Sequence, residues 1–208
     1  MPLHLTIELL YEFDMIGTTQ RKPMKFFRYF LCLAPLLVLP ACSTVNGPTS
    51  ENYGKRTLGT VWDDQMIESR GKANIRAANE QLKKAHVNIT AFNGMVLLTG
   101  QVASDEIKST AAASIKDLRK VRTVHNELEV AGPTSMMART NDSWLTTKVK
   151  AALLSSNDTE GNRVKVVTEN GVVYLMGLLT RTEAEAAVEK TRTVFGVQKI
   201  VKVFEYIN

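Results

Sequence analysis

The sequence predicts an α+β protein in which one small module is built twice. The first observation is a repeated phrase: Asn93-Gly94-Met95-Val96-Leu97-Leu98-Thr99-Gly100 returns 77 positions later as Asn170-Gly171-Val172-Val173-Tyr174-Leu175-Met176-Gly177. Asn-Gly between apolar, β-branched runs is a strong hairpin signal, because both central residues of a type I′ turn need positive φ. The second is an alanine-rich, acidic stretch after each hairpin, Glu106 to Leu118 and Glu183 to Val194. The third is a shared apolar-spaced ending, Val121-x-x-Val124-x-x-x-Leu128-x-Val130 and Val197-x-x-Ile200-x-x-x-Phe204-x-Tyr206.

Each copy reads helix, hairpin, helix, strand. In module one, Ile67, Gly71, Asn74, Ile75, Ala78 and Leu82 recur at helical spacing. Asp63 and Asp64 are expected at that helix's N-terminus, where acidic side chains favour the dipole. In module two, Leu145, Val149, Ala152 and Leu153 form the core stripe, and Asn141-Asp142-Ser143 offers several caps. Val87-Asn88-Ile89-Thr90 and Val164-Lys165-Val166-Val167 lead into the two turns. The simplest architecture lays both helices on one face of a three-stranded mixed sheet, αββαβ, in each module. With about 70 residues apiece the cores are small, so packing of one module on the other is plausible.

The front of the chain is of a different kind. Lys25 and Arg28 precede a short apolar core from Tyr29 to Leu39, too short for the roughly 20 residues that span a bilayer. Leu39-Pro40-Ala41-Cys42 has the form of a bacterial lipobox, in which Cys42 is lipidated and becomes the mature N-terminus. Residues 1–23 carry Glu8, Glu12 and Asp14, unlike the positive start of a signal, and are read as a mis-assigned extension ahead of an initiator at Met24. The expected organisation is then 1–23 extension, 24–41 signal peptide, 42–60 lipidated tether, 61–130 module one, 131–140 linker and 141–208 module two. Cys32 and Cys42 are the only cysteines, so the modules are held by their apolar cores and not by disulfides.

Composition narrows the function. The chain's net charge is +5, and without residues 1–42 there remain 22 basic against 18 acidic residues. That mild excess suits an anionic surface and is far from a nucleic-acid signature. No G-x-S-x-G, Walker loop or G-x-G-x-x-G is present, so neither a cofactor nor a catalytic residue is expected. His4, His86 and His125 are isolated, so no metal site is expected. Glu183, Glu185 and Glu189 read as the solvated face of the second Ala-rich helix. An enzyme is not expected.

The hairpin phrase, the Ala/Glu helix and the closing Gly196-Val197-Gln198-Lys199-Ile200 run resemble the BON domain. Module one departs from the pattern with Lys120 where Gly196 stands. Two such modules behind a lipobox resemble the dual BON-domain outer-membrane lipoproteins associated with cell division and envelope stress. Asn141-Asp142-Ser143-Trp144-Leu145-Thr146-Thr147-Lys148-Val149 and Thr168-Glu169-Asn170-Gly171 are similar to that family's second module. The resemblance implies a lipoprotein on the inner leaflet of the outer membrane, facing the periplasm, that binds anionic phospholipid through module two and supports envelope integrity at the division site.

The residues themselves point to the same face. On a helical wheel, Trp144, Thr147, Ala151 and Leu154 form a stripe away from the Leu145–Val149 core stripe, flanked by Lys148 and Lys150. A small domain leaves a helix's outer face polar, whereas an indole edged by lysines suits a headgroup boundary. Packing of Trp144 against its own module or module one is the competing reading. The alternative function is a non-enzymatic adaptor for other envelope proteins, with module one offering strand edges. Oligomeric state is not legible.

Overall fold

A computed structural model describes residues 56–156, 159 and 161–207. The expected signal peptide, the lipobox and Cys42 lie outside the described residues. Module one runs α1 (Leu58–Ala78), α2 (Glu80–Lys84), β1 (His86–Phe92), β2 (Met95–Val102), α3 (Asp105–Lys116) and β3 (Thr123–Val130). Module two runs α4 (Met136–Leu154), a 3₁₀ turn, β4 (Val164–Glu169), β5 (Val172–Leu179), α5 (Arg181–Arg192) and β6 (Lys199–Tyr206). Each sheet is mixed, as expected: β1 and β4 pair antiparallel with the central strands β2 and β5, to which β3 and β6 add in parallel. Both Asn-Gly pairs take the positive-φ turn their sequence demands, with Asn93 and Gly94 at 51° and 75° and Asn170 and Gly171 at 50° and 76°.

The first helices begin earlier than expected. Thr57 and Ser135, not the aspartates, are the N-caps, their hydroxyls accepting from the backbone N–H groups of Thr60 and Ala138. The expected linker therefore shortens to the residues before Met136, and Trp62 sits within α1. Asp64 and Asp142 are buried and do different work: each carboxylate accepts the two backbone N–H groups of the facing Asn-Gly turn, at 2.8 and 2.9 Å and at 2.7 and 2.9 Å. Helix and hairpin are thereby locked together in both modules. The long first helix expected to reach Leu82 is broken at Asn79, whose extended backbone (φ −159°) ends α1 and whose side chain caps α2.

Glu183 departs from the expected solvated face. It forms a capping box with Thr180 and pairs with Arg163 at 2.6 Å. Burial pushes its carboxyl up, but the Thr180 hydrogen bonds and the Arg163 charge outweigh that and hold it below the usual carboxylate range.

On the helix side of each sheet lies a core, Ile67, Ile75, Val96, Leu98 and Ile115 in module one and Leu145, Val149, Val173, Leu175 and Val188 in module two. A third cluster joins the modules through their other sheet faces: Phe92, Met95 and Leu97 pack with Tyr174, Met176 and Val203. All eight residues of β2 are buried, because both of its faces are covered. The body is a four-layer sandwich with the helices outside.

Polar contacts fix how the sheets meet. Glu169, beside module two's turn, accepts from Asn88 (3.0 Å) and Gln101 (2.9 Å), and His86 Nε2 is 3.6 Å away. Glu205, at the far end of β6, is gripped by both terminal nitrogens of Arg122 and by Asn93 at module one's turn. Lys165 reaches across to Glu68 (2.8 Å) and to the carbonyl of Ala91. The two Asn-Gly turns therefore point in opposite directions along the sandwich.

Candidate functional site

With Asp142 tied to the hairpin and Leu145, Val149 and Leu153 buried, helical geometry turns the opposite stripe of α4 outward. Trp144, Thr147, Lys150, Ala151 and Leu154 are all exposed, Trp144 by 62% and Leu154 by 59%. The indole is buried against neither its own module nor module one. Lys148 differs from its neighbours in being half-buried.

The reason lies in a residue that helix periodicity could not single out. Phe195, 91% exposed, stands in the turn between α5 and β6, and Gly196 follows it at φ 103°. That left-handed conformation, which suits glycine, follows directly on the exposed ring. Lys148 bends toward it: the ammonium donates to the Phe195 carbonyl at 2.8 Å and lies 5.9 Å from its ring and 6.0 Å from that of Trp144. An ammonium held near two aromatic faces is a cation–π arrangement. Two of its three protons stay free for an outside acceptor. The signal in the sequence was Phe195-Gly196, a large apolar residue ahead of a glycine in a turn, which has no partner in the core pattern.

The corner thus carries two aromatic prongs on either side of a cation, with Lys150 exposed on the same helix. Such a surface can lower its rings into a headgroup layer while the ammonium meets phosphate. Among the described residues, no group of three or more His, Cys, Asp or Glu is placed to hold a metal, and no helix is long and apolar enough to cross a membrane.

This fold, twice repeated, defines the class: the chain belongs to the BON domain family, whose model matches residues 63–132 and 141–208. Among known proteins it is similar to the outer membrane lipoprotein DolP of Haemophilus influenzae, with 37% identity over 153 residues, 74% of this chain and 79% of that one. It is also similar to the 21 kDa hemolysin of Actinobacillus pleuropneumoniae, 36% identical over 78% of this chain and 84% of that one. Of solved structures, the C-terminal domain of CdsD from the type III secretion system of Chlamydia trachomatis aligns over 65% of this chain and 96% of its own, at 14% identity and a TM-score of 0.28.

Proposed function

We propose that the protein is a lipoprotein anchored through Cys42 in the inner leaflet of the outer membrane, where module two binds anionic phospholipid from the periplasmic side. In this reading it has no enzymatic activity and supports outer-membrane integrity, with the division site as its place of action. The observation that carries the lipid contact is the pair of exposed rings, Trp144 and Phe195, around the Lys148 ammonium. Burying an indole and a phenyl ring contributes a few kcal/mol at about 25 cal/mol per Å², and each lysine near an anionic surface adds about 1 kcal/mol. That sum gives reversible contact, sufficient for a chain already tethered by its lipid. Similarity to an outer membrane lipoprotein of Haemophilus influenzae and the lipobox at Leu39 to Cys42 support the outer-membrane anchor.

Two measurements test the reading. Mass spectrometry of membrane-extracted protein should find Cys42 acylated and residues 1–41 missing; a free Cys42 thiol refutes the anchor. Co-sedimentation of the mature chain carrying Cys42→Ala should show binding to anionic vesicles and little to zwitterionic ones. Equal, weak binding to both refutes the lipid reading and favours the adaptor.

A further inference from the structure

Module one has its own version of this corner, and its chemistry is different. The two helices align without a gap through their caps, Thr57 with Ser135, their turn-holding carboxylates, Asp64 with Asp142, and their core residues, Ile67 with Leu145. Met66 then stands where Trp144 does, Arg70 where Lys148 does, Lys72 where Lys150 does and Arg76 where Leu154 does. The turns before the last strands also correspond, since the Arg122 and Gln198 N–H groups bond the carbonyls of Gly94 and Gly171. Arg119 therefore replaces Phe195, and Lys120 replaces Gly196.

These substitutions build a hollow of about 210 Å³ lined by Trp62, Asp63, Met66, Arg70, Arg119 and Lys120. Arg70 and Arg119 are exposed, and neither has a carboxylate partner among the described residues. Lys120 is 3.7 Å from Asp63. Lys120 also holds a positive φ of 74° in the place of a glycine, a conformation that strains a residue with a Cβ. A cost kept at an exposed position marks a place where the side chain's direction matters. Trp62, 69% exposed, forms one wall.

We propose that this corner of module one is a second anion site, which takes a phosphate ester between the guanidinium groups of Arg70 and Arg119 and the ammonium of Lys120. Planar guanidinium groups match phosphate oxygens two at a time, and an aromatic wall covers the ester's organic part. The site is separate from that of module two. The helices lie on opposite outer faces of the sandwich and the turns point to opposite ends, so the two corners are diagonally opposed. A membrane seated on module two leaves module one's corner facing away from it. The phosphate comes from a second anionic lipid surface or from a soluble phosphate ester.

The test uses the mature chain with Cys42→Ala, also carrying Trp144→Glu to silence the module-two corner, so that the two proposals fail separately. Titration with glycerol 1-phosphate, followed by NMR, should shift the Arg70 and Arg119 side-chain Nε–H signals and the Lys120 amide. In Arg70→Glu/Arg119→Glu the Lys120 amide shift should vanish while the Asn93-Gly94 turn signals stay in place. The absence of shifts in the parent overturns the site, as does persistence of the Lys120 shift in the double variant. The source is read separately, with Trp144 restored and vesicles containing phosphatidylglycerol. Clustering of the vesicles that Arg70→Glu/Arg119→Glu reduces at least ten-fold assigns a second lipid surface, because only a two-ended protein bridges vesicles. Shifts without clustering assign a soluble ester.

Discussion

Down their first helices the two modules bury the same positions and differ at most of the outward ones, Lys72 with Lys150 and Ala73 with Ala151 excepted. Ile67, Gly71 and Ile75 are matched by Leu145, Val149 and Leu153, all buried. On the outside, Met66, Arg76 and Arg119 of module one stand against Trp144, Leu154 and Phe195 of module two. One corner has been made basic and the other aromatic on the same backbone. The core must be refilled in each copy for the copy to fold, whereas an exposed corner carries no folding constraint and is free to diverge toward different ligands.

The same charge placed on each corner in turn separates the modules most strongly. Trp144→Glu adds repulsion to the loss of about 2 kcal/mol of apolar burial, so affinity for anionic vesicles should fall roughly 50-fold or more with an unchanged melting temperature. Met66→Glu should leave that affinity within about two-fold, since its corner faces away. Unfolding of Trp144→Glu would place the indole in the core and refute its exposed role; equal losses in both variants would erase the distinction between the modules.

The Asn-Gly turns separate the modules by stability. A Cβ on Gly94 would lie 2.5 Å from the backbone carbonyl oxygen of Lys120, whereas on Gly171 it would meet the flexible side chain of Gln198 at 2.7 Å. Both glycines have positive φ. Gly94→Val should therefore cost about 3 kcal/mol and Gly171→Val about 1 to 2 kcal/mol, strain and displacement together. Chemical denaturation of the two variants measures the difference, and equal costs would mean that the Lys120 backbone yields as readily as a side chain.

A smaller effect sharpens the reading of Lys148. Lys148→Ala with Lys150→Ala should weaken vesicle binding about five- to ten-fold and flatten its salt dependence, because screening acts on the Coulomb part alone. A loss as large as that of Trp144→Glu would make the contact electrostatic and not apolar.

The smallest effect concerns the seam between modules. The Arg122 hydrogen bonds hold the Glu205 carboxyl below the usual carboxylate range despite the burial that opposes them, with a further bond from Asn93. A depressed folded value means that the pair's contribution is full above the unfolded value of about 4.3 and is lost as pH falls through the folded one. The pair is partly exposed, so that contribution is about 1 kcal/mol or less. Melting followed from pH 6 to pH 3 should drop less steeply in Glu205→Gln than in the parent. Identical slopes would show that the pair adds nothing.

Much of this molecule was legible in local pattern. Duplicated Asn-Gly phrases announced two hairpins because the positive-φ turn has few sequence solutions. Three- and four-residue spacing located the first helices and the outward stripe on α4, since a helix's geometry relates each position to its face. The helix starts were misplaced because Asp64 suits a first turn and Asp142 suits a cap, and only the folded hairpin, 28 to 30 residues away, gives their carboxylates better donors.

What the tertiary structure alone decided is where separate segments meet. The continuous apolar runs Met95 to Leu98 and Val172 to Met176 could mark strands covered on both faces, but which surface covers them follows from the packing of Phe92, Met95 and Leu97 on Tyr174, Met176 and Val203. Phe195 joins Trp144 and Lys148, and Arg119 joins Arg70, only because the turn after each second helix folds back beside the first. Sequence patterns carry the short-range geometry of a helix or a turn; contacts between residues some 50 apart depend on chain closure, which no local pattern encodes.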